Sequence, residues 1–115
     1  MDEGLRTRAL ELFQAIAHPD RLLTLMALGR AEATPEGGVS AGELAELCGA
    51  EQSAMSHQLR RLKDSGLVRT RRNGRRIYYA LNDQHVARII EDALEHVDEV
   101  PKARRKRSGS GGSGT

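Results

Sequence analysis

Apolar residues recur along this chain with two different periods, and the places where the period changes mark out its elements. Leu5, Ala9, Leu12, Phe13 and Ile16 fall at three- and four-residue steps, which predicts an amphipathic helix from about Leu5 to Ala17. It stops before His18-Pro19, and Pro19 can open the next helix because a first-turn proline gives up no helical hydrogen bond. Leu22, Leu23, Leu25, Met26 and Leu28 make that second segment a central core helix ending near Gly29, with His18 at the junction. Residues 31–39 show no period and contain two adjacent glycines, so they read as a loop. Ser40-Ala-Gly-Glu43 is a capping-box pattern that opens a short third helix carrying Leu44, Ala45 and Leu47, with Cys48-Gly49 as its stop.

A fourth helix is expected to begin about three residues later, near Gln52, which completes a helix-turn-helix outline. Met55, Leu59 and Leu62 share one of its faces, and Ser53, Ser56, His57 and Arg60 share the opposite one. Small hydroxyls let such a face sit close to a groove floor, and hydroxyl, imidazole and guanidinium groups hydrogen-bond to base edges or phosphates. Ser65-Gly66 ends the helix. From Val68 to Leu81 the pattern changes to alternation, with Ile77, Tyr79 and Leu81 expected to point inward and Asn73-Gly74 to supply the two positive φ angles of a type I′ turn. A hairpin just after a reading helix is a wing, and Arg71, Arg72, Arg75 and Arg76 at its tip suit phosphate or a minor groove. An edge hairpin charged only against aggregation is the plainer reading of the same residues.

The last periodic segment, Asp83 to Val100, carries both an apolar stripe and a set of candidate metal ligands. Val86, Ile89, Ile90, Ala93, Leu94, Val97 and Val100 form the stripe, and Asp83 fits the N-cap. His85 and His96, eleven residues apart, point to within about 20° of one another, and Glu99 joins that face. They are also roughly 16 Å apart along the helix axis, too far to share one ion. An antiparallel second copy removes the obstacle: Asp83 and His85 of one chain then lie beside His96 and Glu99 of the other. This gives two equivalent sites of two nitrogen and two oxygen donors, with the apolar stripe as dimer seam. Spacing alone leaves open a surface helix whose acids and histidines are merely solvated.

Charge sharpens the nucleic-acid reading. The net charge is only +2, but residues 52–81 hold eight Arg or Lys against one acid, Asp64, and five more cations lie between Lys102 and Arg107. Segregation of this kind suits a phosphate-binding surface, although a basic run is also compatible with a solvated face. At 115 residues the chain is one domain's worth, expected over 1–100, with 101–115 as a disordered, basic, Gly/Ser-rich tail. No apolar run approaches the roughly 20 residues that span a bilayer, and no secretory signal is visible, so the cytoplasm is the expected compartment. The single Cys48 excludes an internal disulfide or a CxxC motif and reads as a small buried residue.

Glu43-Leu-Ala-Glu-Leu, Ser53-Ala-Met-Ser-His-Gln-Leu59, Leu62-Lys-Asp-Ser-Gly-Leu-Val68 and Arg72-Asn-Gly-Arg-Arg-Ile-Tyr-Tyr-Ala-Leu81 resemble the core of the ArsR/SmtB family of bacterial metal-responsive repressors, over about residues 5–100. The resemblance implies a mainly α winged helix-turn-helix with one β-hairpin, dimeric through its N- and C-terminal helices, acting on double-stranded operator DNA in the bacterial cytoplasm. Asp83-x-His85 with His96-x-x-Glu99 is similar to the ligand spacing of the zinc-sensing branch, with cobalt or nickel as other ions such a set accepts. The family's Cys-x-Cys branch is disfavoured, because Cys48 is followed by Gly49. Carried over residue by residue, Gln52 joins Ser53, Ser56, His57 and Arg60 as a DNA contact. The resemblance also implies a hydrogen bond from His96 to the Gly66 carbonyl that reaches Leu62 and couples metal to DNA.

The expectation is therefore a homodimeric repressor that binds an inverted-repeat operator and is released by zinc at two inter-subunit sites. A winged-helix regulator or architectural protein that ignores metal is the rival. An enzyme is disfavoured, since four protein ligands leave a zinc no open position and no nucleophile and base pair stands out.

Overall fold

The computed structural model describes residues 2–31 and 36–99, in the order α1 (Glu3–Ile16), α2 (Pro19–Arg30), α3 (Ala41–Cys48), α4 (Gln52–Asp64), β1 (Val68–Asn73), β2 (Arg76–Leu81) and α5 (Gln84–Asp98). All five expected helices and the hairpin are present, and the tail expected over 101–115 lies outside the described residues. α1 starts earlier than expected because the Asp2 carboxylate accepts a hydrogen bond from the Gly4 amide. His18 is the N-cap of α2, its Nδ1 accepting from the Asp20 amide. The capping box at α3 is complete: Ser40 Oγ accepts from the Glu43 amide and Glu43 accepts from the Ser40 amide. Those bonds hold the Glu43 carboxyl below its ordinary value. The box is therefore intact at neutral pH and is lost only as pH falls through that lowered value.

The core is built where α2, α3 and α4 cross the base of the hairpin. Leu25, Leu28, Leu44, Met55, Leu59, Leu62, Leu67 and Leu81 are all but inaccessible to water. The stripe expected on α4 is the one observed. On α2 the burial is narrower than expected, since Leu22 and Met26 are half-buried and Leu23 is exposed; Leu47 of α3 is exposed as well. Cys48 is half-buried rather than buried, and burial pushes its thiol up against a smaller opposing pull from the Thr24 hydroxyl, so it stays a neutral packing residue.

Three details of the hairpin differ from expectation. Asn73 pairs with Arg76, so the two loop residues are Gly74 and Arg75. Gly74 alone has positive φ, at 67°, which matches a type II′ turn with glycine first rather than type I′. The inward alternation of Ile77, Tyr79 and Leu81 holds in part: Tyr79 and Leu81 pack on the core and Ile77 is half-buried, but Tyr78 and Ala80 on the opposite face are buried too. The segment read as loop adds to the hairpin at its edge. Val39 pairs with Tyr79 through both backbone bonds (2.9 and 2.8 Å) and acts as a one-residue third strand. Gly38 precedes it because a Cβ there would meet the Tyr79 carbonyl oxygen at 2.6 Å.

The terminal helices are the least covered. α1 has no buried residue, and Leu5, Leu10 and Phe13 are more than half exposed. The stripe on α5 divides: Val86 and Ile90 enter the chain's own core, whereas Leu94 and Val97 at its far end are exposed. Of the seam expected along the whole helix, the described residues free to meet a partner are thus Ile89, Ala93, Leu94 and Val97.

Candidate nucleic-acid interface and metal half-sites

With Met55, Leu59 and Leu62 anchored in the core, helical geometry turns Ser53, Ser56, His57 and Arg60 outward, and all four are exposed. Ser53 Oγ donates to the Glu51 carboxylate at 2.6 Å, so its hydroxyl proton already has a local partner. The Gln52 amide leans toward the start of α3, where its Oε1 lies 3.5 Å from the position a Gly42 Cβ would take. Gln52 and Ser56 line one cleft with Ser40, Gly42, Arg75 and Arg76. The reading helix and the wing are thus two walls of a single concave surface, with α3's N-terminus at its floor.

The four wing arginines do not share one role. Arg71 donates to the Glu36 carbonyl and pins the segment that leads into Val39. Arg72, Arg75 and Arg76 are exposed. Sequence reasoning passed over Arg69, whose guanidinium donates to the Asn82 carbonyl at 3.1 Å and ties the wing's base to the start of α5.

The four candidate ligands fall into two pairs. Asp83 caps α5, its Oδ1 accepting from the Val86 amide at 2.9 Å and lying 3.8 Å from His85 Nδ1. The second oxygen, Oδ2, carries no cap bond. His96 and Glu99 are exposed near the other end of the helix. Among the described residues no three His, Cys, Asp or Glu side chains come together closely enough to hold an ion. Each pair combines an imidazole with a carboxylate, donor types that zinc accepts. The residues proposed for coupling sit at the end of α4, which backbone bonds tie to the residue after β2: the Leu67 amide donates to the Leu62 carbonyl (3.0 Å), the Gly66 amide to Lys63 (3.0 Å), and the Asn82 amide to the Leu67 carbonyl (3.0 Å).

A family model described as a helix-turn-helix domain matches residues 9–71. The HTH-type transcriptional regulator NmtR of Mycobacterium tuberculosis is 39% identical over 87% of this chain and 78% of its own length. The chain belongs to the ArsR/SmtB family. A transcriptional repressor SmtB homolog of Synechocystis is 39% identical over 77% of the chain and 63% of its own. The homodimeric winged helix-turn-helix domain of a possible ArsR-family regulator from Mycobacterium bovis superposes with a TM-score of 0.74 at 27% identity, over 86% of this chain and 89% of that one. The family is one of metal-sensing transcriptional repressors rather than enzymes, and the observed winged helix-turn-helix is its fold. No described helix is long and apolar enough to cross a membrane.

Proposed function

We propose that this chain is a homodimeric repressor that binds an inverted-repeat operator and leaves it when zinc occupies two sites shared between subunits. One observation carries the reading. The donor pairs Asp83/His85 and His96/Glu99 stand at opposite ends of α5, on a helix whose outward apolar residues Leu94 and Val97 lie uncovered. A two-fold antiparallel partner covers those residues and completes both donor sets in one step. The homodimeric structural relative and the bare face of α1 support the same assembly. When bound, zinc supplies the charge and directional coordination that lock the four donors. The alternative is a regulator of the same fold that ignores metal. The discriminating experiment uses a duplex selected by the protein from a random inverted-repeat pool, titrated with and without zinc. Release by a coupling of about 1 to 3 kcal/mol is expected; unchanged affinity supports the alternative.

Coupling follows from the second nitrogen of a ligand histidine. A metal-bound imidazole donates its remaining N–H to an oxygen, which fixes its tautomer. Set beside the Asp83 end of the other subunit, His96 is then close to the junction of Gly66, Leu67 and Asn82, and its N–H donating to the Gly66 carbonyl pulls on Leu62 and the end of α4. The two reading helices then lose their alignment with successive major grooves. His96→Asp keeps a donor but has no second N–H. It is expected to bind zinc yet stay on the selected duplex. If it binds zinc and is released as the parent is, coupling runs through the dimer seam instead.

A further inference from the structure

Thr24 is the only polar side chain fully buried among the described residues, and its hydrogen bonds run within α2 and across to α4. Its hydroxyl donates to the Asp20 carbonyl at 2.9 Å within α2 and accepts from Gln58 Nε2 of α4 at 2.7 Å. The same Gln58 nitrogen donates to the Asp20 carbonyl at 3.0 Å, so each of its two protons has an acceptor. The amide nitrogen must face inward here, since the amide oxygen would oppose the Asp20 carbonyl. Met55 Sδ lies 3.8 Å from the hydroxyl and closes the apolar side of the group. Neighbouring Arg21 works in the other direction. Its guanidinium donates to the Ala15 and Gln14 carbonyls and caps the free end of α1.

One turn of α2 therefore grips α1 through Arg21 and α4 through Asp20 and Thr24. Hydrophobic contact alone lets a helix slide or roll within its groove, whereas two directional bonds from one amide fix both register and rotation. Gln58 belongs to the reading helix but borders the Leu59 stripe rather than the exposed face, so it touches no DNA in the arrangement described above.

We infer that Gln58 and Thr24 are positioning residues that set the angle and separation of the two reading helices relative to the N-terminal helices of the dimer. The inference rests on the DNA-binding homodimer proposed above. Successive half-sites on one side of DNA repeat about every 34 Å, so a small rotation of each α4 about its own core contacts mis-sets the pair while leaving each reader's surface intact. The observable is thus tolerance of half-site spacing, which a loss of base contacts does not alter.

The test measures binding of the parent, Gln58→Met, Thr24→Val, Thr24→Ser and Ser56→Ala to the selected duplex, to the same duplex with one base pair inserted between half-sites, and to random DNA. Gln58→Met and Thr24→Val are expected to lose about tenfold in affinity for the selected duplex, in line with the loss of one or two hydrogen bonds. They should pay a smaller penalty than the parent for the inserted base pair, and bind random DNA within about twofold of it. Thr24→Ser keeps the hydroxyl and should restore the parent's spacing preference. Ser56→Ala should lose discrimination between sequences but keep that preference. If Gln58→Met and Thr24→Val keep the parent's spacing penalty, even with lowered melting temperatures, the group only stabilises the fold and the inference is overturned. A parent that does not prefer its selected duplex to random DNA overturns the DNA reading and the inference together.

Discussion

A heterodimer made of one His85→Ala chain and one His96→Ala chain is expected to bind zinc at half the stoichiometry of the parent dimer. Each proposed site takes Asp83 and His85 from one subunit and His96 and Glu99 from the other. In the mixed dimer one site therefore loses both histidines, and the second keeps all four donors. Each homodimeric variant loses one histidine from both sites and should weaken by orders of magnitude, because structural zinc affinity is assembled from all its ligands. Chains with different tags permit isolation of the mixed species, and titration against a competing chelator gives its stoichiometry. Two intact sites, or none, sink the shared arrangement. Acidification should release the metal from the surviving site, since an imidazole that takes a proton can no longer donate to an ion.

The second large effect belongs to the wing. Arg72→Ala with Arg75→Ala should weaken binding to the selected duplex and to random DNA alike, by about a hundredfold at low salt, since each charged hydrogen bond to phosphate carries a substantial share of affinity. The slope of log affinity against log salt should shrink by about 2, because two fewer counterions are released. Ser56→Ala and His57→Ala should act differently. They erode discrimination by about 1 to 3 kcal/mol per base contact and leave the slope in place. An unchanged salt slope in the double arginine variant would mean that the wing tip does not touch phosphate.

What could be read from the sequence divides along a physical line. Local periodicity placed every helix, and on α4 it also gave the correct buried face, because Met55, Leu59 and Leu62 meet partners that any helix-turn-helix must supply. Periodicity is silent about non-local cover. Val39 reaches across to pair with Tyr79, with Gly38 close against the same strand, and nothing in the alternation of β2 announces that visit. The turn was misassigned for a related reason: Asn73-Gly74 is a strong local signal, but cross-strand pairing of Asn73 with Arg76 moves the loop by one residue. The proposed metal donors rest on spacing, and the structure adds that Asp83 and His85 are 3.8 Å apart while capping leaves Oδ2 of Asp83 without a cap bond. Arg69 and Gln58 were missed because each spends its polar group on a backbone carbonyl distant in sequence. The usable signal for Gln58 was a polar residue bordering an apolar stripe, where a solvated side chain gains nothing.

The bare N-terminal helix has a consequence for how the molecule is assembled. α1 has no fully buried residue and is tied to the rest by capping from Arg21 and by Leu12, Ala15 and Ile16, which are partly buried against the core. A fourteen-residue helix of this kind is marginal by itself in water. In the homodimer proposed above the second subunit covers its exposed side, which makes helix formation at the N-terminus a mass-action event. At high protein concentration the amides of α1 share the slow hydrogen exchange of the core, and on dilution they open before any other helix while α2, α3 and α4 stay closed around Leu25 and Leu59.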